Sequence, residues 1–340
     1  ASVSSTRQML MDCLMATAKT MAFRKLWFDN PLPSARQHGF FFKDPTSNHK
    51  STMNRRSFIQ SALATAAATG ATWFDTPQLL AASGARSKSF KKYGGFPMGI
   101  QSYSLRGFGA EEAFKKINEL GLHWVEPYGT HYPPTTNAVA IKKMKAKLDA
   151  LDITVSAHGV HGFSKNHERN EQLFKFAKHA GIRNLSANPS PDSFDSLEKL
   201  VDQYDVRIAI HNHGPGALYD KLEDGLKAVK GRDPRIGFCA DLGHYIRSGI
   251  KPEDAIEGLT GRLYGIHLKD FAEMKKKTHG VILGEGHMDV KAVFKALRNA
   301  KFPADGALSL EYEENPKNPI ADIQKCLKVA AAGAQAALEA

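Results

Sequence analysis

The chain has few cysteines and, outside one Ala-rich segment near its amino end, no long apolar run. Its three cysteines, Cys13, Cys239 and Cys326, are spaced too irregularly for a disulfide framework or a zinc site. Cys239 lies in the apolar run GFCAD, where a buried structural thiol is expected. A transmembrane helix needs about 18 consecutive apolar residues. We therefore predict one large α/β domain and no stable membrane insertion once a signal segment is removed.

The basic excess of the chain is not concentrated in its main domain. The formal charge is +11; residues 1–52 hold seven Lys or Arg and three Asp or Glu, and residues 53–90 hold four and one. Residues 91–340 therefore carry only +4. A nucleic-acid-binding domain would need a concentrated basic stripe on its folded part. We predict no nucleic-acid partner.

The segment beginning at Met53 reads MNRRSFIQSALATAAATGATWF and resembles a twin-arginine (Tat) export signal. Its arginine pair is followed by an uncharged, Ala-rich stretch and by small residues around 81–85, a plausible cleavage region. We therefore expect residues 53–90 to be a signal peptide with its linker and the protein to be periplasmic or extracellular. Such a signal is read at an amino terminus, so residues 1–52 are predicted to be an upstream extension, disordered or not native. Residues 91–340 form the predicted domain.

Short apolar segments alternate with amphipathic helical segments from residue 98 onward. Eight segments are predicted to be strands: 98–105, 123–129, 153–160, 184–189, 207–213, 236–244, 263–270 and 307–314. This alternation indicates parallel strands joined by right-handed crossovers, and eight units indicate a single (β/α)₈ TIM barrel. A doubly wound open sheet is the alternative, but it would show a Gly-rich phosphate-binding turn after the first strand, and GIQSYSLRGFG is not one.

Polar side chains end four consecutive predicted strands, the fifth to the eighth. In chain order they are His211, His213, Asp241, His244, His267, Lys269, Glu311 and Glu313. The carboxyl ends of barrel strands meet at one mouth, and residues two apart on a strand share a face. Burying several ionisable groups together costs several kcal/mol per group unless a cation compensates, and His with carboxylates suits a divalent ion. We predict one metal site there.

The segments DLGH, GIHLKD and LSLEYE and the LGEG loop at 283–286 resemble the xylose-isomerase-like superfamily, in particular its sugar phosphate isomerase/epimerase branch. Relatives in that superfamily include ketose 3-epimerases, hydroxypyruvate isomerase, inosose dehydratase and endonuclease IV. The resemblance implies a TIM barrel that holds one divalent ion, manganese, cobalt, zinc or iron. By position it implies three metal ligands, Asp241, His267 and Glu311, and substrate contacts for His244, Lys269 and His158. Glu126, which ends the second predicted strand, is a further candidate substrate contact.

The sequence departs from the family at strand five. Sugar epimerases of the superfamily have a Glu where His211 stands, and His213 matches a His that often follows it. His211 is therefore the predicted fourth ligand, and one of two carboxylates facing each other across the sugar carbon is missing. We expect Glu311, His211 or His213 to move the proton and Lys269 to orient hydroxyl groups.

The resemblance implies a metal-dependent sugar isomerase or epimerase that acts through an enediolate. Because phosphorylated sugars are rare outside the cytoplasm, we expect the substrate of an exported enzyme to be an unphosphorylated sugar or keto-sugar. The alternative is a metal-dependent lyase that cleaves 3-keto-glycosides by β-elimination, which shares the first step and suits the missing Glu. The expected partner is a small sugar or glycoside, and a homo-oligomer is possible.

Two remoter alternatives belong to other classes. An endonuclease IV-like nuclease would need further metal ligands, for which His131, His158, Glu285 and His287 are available, but the modest charge and the lack of an Asp-x-His pair after strand seven argue against it. The second alternative is a barrel that binds a sugar without catalysis, which would fit the replacement of the strand-five Glu by His211.

Overall fold

The computed structural model describes residues 76–339, with side chains described from residue 84 onward. The predicted extension at 1–52 and most of the predicted export signal lie outside these residues. The end of that signal segment falls in helix α1 (Thr76–Lys92). The Gln335 amide near the carboxyl end donates hydrogen bonds to the carbonyls of Lys91 and Lys92, and Arg86 pairs with Asp152 at 2.6 Å. The end of α1 is thereby bound to the barrel.

The core of the fold is a closed ring of parallel strands. In chain order they are β1 (Met98–Gln101), β2 (Trp124–Glu126), β3 (Thr154–Val155), β4 (His158–Phe163), β5 (Asn184–Pro189), β6 (Arg207–His211), β7 (Ile236–Asp241), β8 (Leu263–Leu268) and β11 (Ala307–Leu310). The sheet order is β3-β2-β1-β11-β8-β7-β6-β5-β4. Since β3 and β4 belong to one passage of the chain, which pairs with β2 on one side and β5 on the other, the ring has eight passages. The predicted TIM barrel is confirmed.

Helices surround the ring and cover it with their apolar faces. They are α2 (Ala110–Glu119), α3 (Ala138–Ala150), α4 (His167–Ala180), α5 (Phe194–Tyr204), α6 (Leu222–Val229), α7 (Leu242–Arg247), α8 (Pro252–Gly258), α9 (Val290–Asn299) and α10 (Ile320–Ala336). Helix α2 shows the pattern, because its buried residues Ala113, Phe114 and Ile117 recur at helical spacing. None of the described helices is both long and apolar enough to cross a membrane.

Strand register brings the polar strand ends close together at one end of the barrel. Asp241 of β7 and Ser309 of β11 both stand opposite His267 of β8, and His211 of β6 stands opposite Cys239 of β7. These positions lie at the carboxyl end of each strand, where the barrel opens into loops. Parallel pairing therefore gathers side chains that are far apart in the sequence.

The loop after β8 is organised by Asp270. A short antiparallel pair, β9 (Asp270–Phe271) with β10 (Gly280–Val281), leads into the LGEG loop. The Asp270 carboxylate accepts five backbone N–H groups at 2.8–3.1 Å, four of them from that loop and the residues directly after it. A Cβ at Gly286 would lie 2.2 Å from the Phe271 carbonyl oxygen, so only glycine fits there. Asp270 has a structural role at the barrel rim.

Candidate metal centre

Four buried side chains converge at the barrel mouth, one from each of β6, β7 and β8 and one directly after β11. They are His211, Asp241, His267 and Glu311, and each offers one ligand atom within 4.8 Å of the other three. His267 Nδ1 lies 3.0 Å from His211 Nε2, 3.2 Å from Glu311 Oε2 and 3.8 Å from Asp241 Oδ2. His211 Nε2 lies 3.6 Å from Asp241 Oδ2. The structure thus brings the four predicted ligands together.

The spacing and chemistry of these atoms fit one divalent ion. Nitrogen and oxygen ligands bind such ions at about 2 Å, which places neighbouring ligand atoms roughly 3–4 Å apart. The four separations given above, 3.0–3.8 Å, fall in that interval. Two imidazole nitrogens with two carboxylate oxygens form a donor set that accepts manganese, iron, cobalt or zinc. The chain could therefore hold the ion that the sequence predicts.

Asp241 is oriented by the helix that follows it. Its Oδ1 accepts the His244 N–H at 2.8 Å and caps the amino end of α7. The Asn212 side chain exchanges two hydrogen bonds with the Asp241 backbone, which fixes the end of β7 against β6. Because Oδ1 is occupied by the cap, Oδ2 faces the cluster.

Glu126 orients His267 by contacting the ring nitrogen that faces away from the cluster. Its Nε2 lies 3.0 Å from Glu126 Oε2, which leaves Nδ1 directed at the cluster. Glu126 is 0% exposed and also accepts hydrogen bonds from Ser186 at 2.5 Å and Ser309 at 3.0 Å. Burial alone would raise the pKa of Glu126, but His267 and the two hydroxyls hold it below its ordinary value. The structure places Glu126 under His267, a predicted metal ligand, and away from the mouth where the sequence predicted a substrate contact.

Lys269 links the two carboxylates of the cluster. Its ammonium lies 2.8 Å from Glu311 Oε2 and 3.4 Å from Asp241 Oδ2, and it also pairs with Glu313. Burial alone would raise the pKa of Glu311 and Asp241, but Lys269 and the neighbouring histidines hold both below their ordinary values. Both carboxylates are thus ionised at neutral pH, as metal ligands must be.

A cavity of about 420 Å³ opens above the cluster. Its lining residues are Gln101, Tyr103, Tyr128, Gly129, Gly159, Val160, His211, His213, His244, Glu311 and Glu313. Burial lowers the pKa of His213 to about 4 and that of His244 to about 3, so both rings are neutral at pH 7 and can accept a hydrogen bond from a hydroxyl group. Size and lining suit a polar molecule with several hydroxyl groups.

His158 does not line this cavity. It is 0% exposed, its Nδ1 bonds His161 Nε2 at 2.8 Å, and its Nε2 bonds the Tyr132 carbonyl at 2.8 Å. Both ring nitrogens of His158 are therefore hydrogen-bonded to other residues of the protein. The following residues, Gly159 and Val160, reach the cavity where the sequence predicted His158 to do so.

The additional ligands of a nuclease-like cluster do not assemble in the described part of the chain. Besides the four-residue group, residues 84–339 contain one other candidate group, Glu126 with Cys239 and His267, which shares His267. His131, His158, Glu285 and His287 belong to neither group.

Several residues that the structure places at the site have weaker signals in the sequence. Ser186 lies in the mixed strand NLSANP and Ser309 in the apolar strand ALSL, and neither sequence shows which residue the hydroxyl group contacts. Tyr103 and Tyr128 follow the first two strands and pack edge to face, with ring centroids 5.3 Å apart. Aromatic residues directly after barrel strands are the signal that would have found them.

The sequence model of the xylose isomerase-like TIM barrel family matches residues 114–330. The chain belongs to that family. Among characterised members, inosose dehydratase of Clostridium botulinum is 23% identical over 192 residues, 49% of this chain and 59% of that protein. The 3-oxo-isoapionate decarboxylase of Pectobacterium atrosepticum is 26% identical over 121 residues, 32% of this chain and 42% of that protein. The chain spans about half the length of the curated relatives it matches.

Solved structures agree with the fold. A protein of Parabacteroides distasonis is 29% identical, with a TM-score of 0.54, and the match covers 68% of this chain and 97% of that protein. L-ribulose 3-epimerase is 16% identical, with a TM-score of 0.56 and coverage of 71% and 95%. At such low identity the epimerase supports the barrel and nothing finer. By name, the curated relatives are enzymes that modify sugars or sugar derivatives, so the chain is a relative of sugar-modifying enzymes.

Proposed function

We propose that this chain is a divalent-metal-dependent carbon–oxygen lyase that acts on an unphosphorylated keto-sugar. The buried His211, Asp241, His267 and Glu311 cluster supports a metal-dependent reaction. Three of the curated relatives are inosose dehydratases by name. The unphosphorylated substrate follows from the export that we propose on the basis of the arginine pair at residues 55 and 56.

The observation that carries the proposal is the distribution of carboxylates around the mouth. Glu311 and Glu313 both extend from the end of β11, whereas the cavity wall formed by the end of β6 presents His211 and His213. An epimerase that exchanges a proton between two faces of a carbon needs a proton-carrying group on each face. A β-elimination needs one group that takes the proton and returns it to the leaving oxygen.

In this proposal Glu311 carries out both steps. It removes the proton next to the ketone, and the C–H electrons form an enediolate. The β-carbon–oxygen bond then breaks, the leaving oxygen takes the proton back from Glu311, and the products are an unsaturated keto-sugar and an alcohol or water. Lys269, 2.8 Å from Glu311 Oε2, stabilises the carboxylate when it is ionised and can contact substrate oxygens. The bound divalent ion would act as a Lewis acid on the ketone and its neighbouring hydroxyl.

Isomerisation or epimerisation is the second candidate, and the neutral rings of His213 and His244 favour it. These rings stack with centroids 5.6 Å apart on a different part of the cavity wall from Glu311. A proton returned from that side would give an epimer or an aldose–ketose pair instead of an unsaturated product.

Two test compounds distinguish the lyase reaction from isomerisation or epimerisation. We expect the metal-loaded protein to release methanol from a methyl 3-keto-glucoside and to leave a free ketose unchanged, as measured by NMR, with chelator-treated protein as the control. Interconversion of the ketose without methanol release would replace the lyase with an isomerase. If neither compound reacted and one of them bound tightly, the non-catalytic barrel would be the correct description.

A further inference from the structure

A second cavity lies beside the metal centre on the same face of the barrel. It measures about 530 Å³ and is lined by Pro134, Thr135, Thr136, Val160, His161, Gly162, Arg169, Gln172 and Leu173. These residues belong to the loop after β2, to β4 and to the first turns of α4. All three segments lie at the carboxyl-terminal face, where barrel enzymes bind their substrates. The proton-transfer steps described above use none of the polar residues in this cavity.

The two cavities meet at Val160. Its side chain, 40% exposed, lines both of them, with Gly159 on the side of the metal centre and His161 on the other. A molecule that reaches from Glu311 into the second cavity would have to pass Val160. We call the cavity above the metal cluster the first compartment and this second cavity the second compartment; Val160 is the residue that lines both.

The second compartment offers polar groups that are not used inside the protein. Among residues 84–339, the Arg169 guanidinium and the Gln172 amide form no hydrogen bond or ion pair with another residue; Arg169 is held through its backbone N–H by Asn166. The start of α4 is rigid, because the buried Asn170 bonds both Ser164 and Ser196 at 2.7–3.0 Å. Arg169 and Gln172 extend from this helix as exposed side chains beside the apolar Leu173 and Pro134, a combination of donors and apolar surface that suits a sugar ring.

We infer that the substrate is a two-ring glycoside. Its keto-sugar ring occupies the compartment of the metal centre, and a second sugar ring crosses Val160 and binds Arg169 and Gln172. This inference rests on the proposed lyase and deepens it by naming the leaving group. The glycosidic carbon–oxygen bond breaks, the second sugar departs as the alcohol with the proton from Glu311, and the unsaturated keto-sugar stays in the first compartment.

The test compares a one-ring and a two-ring compound on the metal-loaded protein. The probes are methyl 3-keto-galactoside and 3-keto-lactose, which share the same keto-galactosyl ring and differ only in the group that leaves it, methanol or glucose. We expect calorimetry to show at least about ten-fold tighter binding of the two-ring compound to the wild type. The variant Arg169→Ala should lose most of that difference while binding the one-ring compound within two-fold of the wild type. Lys178→Ala, an exposed change later on the same helix, is the matched control.

The possible results separate this inference from the proposed function. Equal binding of both compounds by the wild type, or an Arg169→Ala variant that keeps the preference for two rings, would overturn the two-ring substrate even if both compounds are cleaved. A preference that depends on Arg169, without cleavage of either compound, would support the second compartment and contradict the lyase. A Gln172→Ala variant is an independent test. We expect it also to lose part of the preference for the two-ring compound.

Discussion

Replacement of Glu311 with Gln is expected to reduce turnover of a keto-sugar about 1,000-fold and to release much of the bound metal. The change removes a general base, which contributes about 100- to 10,000-fold to proton-transfer reactions, and one of the four ligand atoms that lie within 4.8 Å of one another. Turnover measured at saturating metal separates the loss of the base from the loss of the ligand. Full turnover with full metal content would show that Glu311 has neither role.

Glu313→Gln is the matched control for this experiment. Glu313 follows Glu311 by two residues, contacts the same Lys269 and lines the same cavity, but it does not belong to the four-residue group. We expect this variant to keep its metal and to lose less activity than Glu311→Gln. If both variants lost metal equally, the loss would come from the removal of one negative charge at the barrel mouth and not from the loss of Glu311 as a ligand.

Replacement of Glu126 with Gln is expected to weaken metal affinity about 10- to 100-fold, although Glu126 lies under the cluster and offers it no atom. The carboxylate accepts a hydrogen bond from His267 Nε2 and makes Nδ1 the ligand nitrogen. A neutral amide supports that arrangement less strongly. Competition with a chromogenic chelator measures the affinity, and thermal unfolding in excess chelator measures the stability of the metal-free protein.

Ser186→Ala tests whether this effect depends on His267. Ser186 donates to Glu126 Oε1, whereas His267 bonds Oε2, so the serine variant disturbs the same carboxylate without touching the histidine. We expect a smaller loss of affinity than for Glu126→Gln. If Glu126→Gln lowered only the stability of the metal-free protein and left metal affinity unchanged, Glu126 would be a structural carboxylate with no influence on the centre.

The sequence was sufficient to predict the barrel and the four residues that meet at its mouth. Two regularities explain this: alternation of strands and helices sets the topology, and parallel strands bring their carboxyl ends to one place. Neither regularity requires knowledge of side-chain packing. His211, Asp241, His267 and Glu311 could therefore be grouped although they are spread over 101 residues of the chain.

The sequence did not reveal which strand-end residues face the mouth and which face a neighbouring strand. Glu126 ends β2 and His158 begins β4, but the Glu126 side chain turns to His267, and His158 bonds Tyr132 and His161. Those orientations depend on partners from distant parts of the chain. The sequence did not reveal the second compartment for the same reason. Arg169 lines this cavity only because α4 packs beside the loop after β2.

The most direct test of this account is the metal stoichiometry of the wild type and of Asp241→Asn after chelator treatment and titration with Mn²⁺. Asp241 Oδ2 faces the other ligand atoms, and Oδ1 caps α7, a cap that Asn can also provide. We predict one ion per wild-type chain and a large loss of binding in the folded variant. A wild type that binds no divalent ion, or a variant that binds one as tightly as the wild type, would contradict the claim that these four side chains form a metal centre.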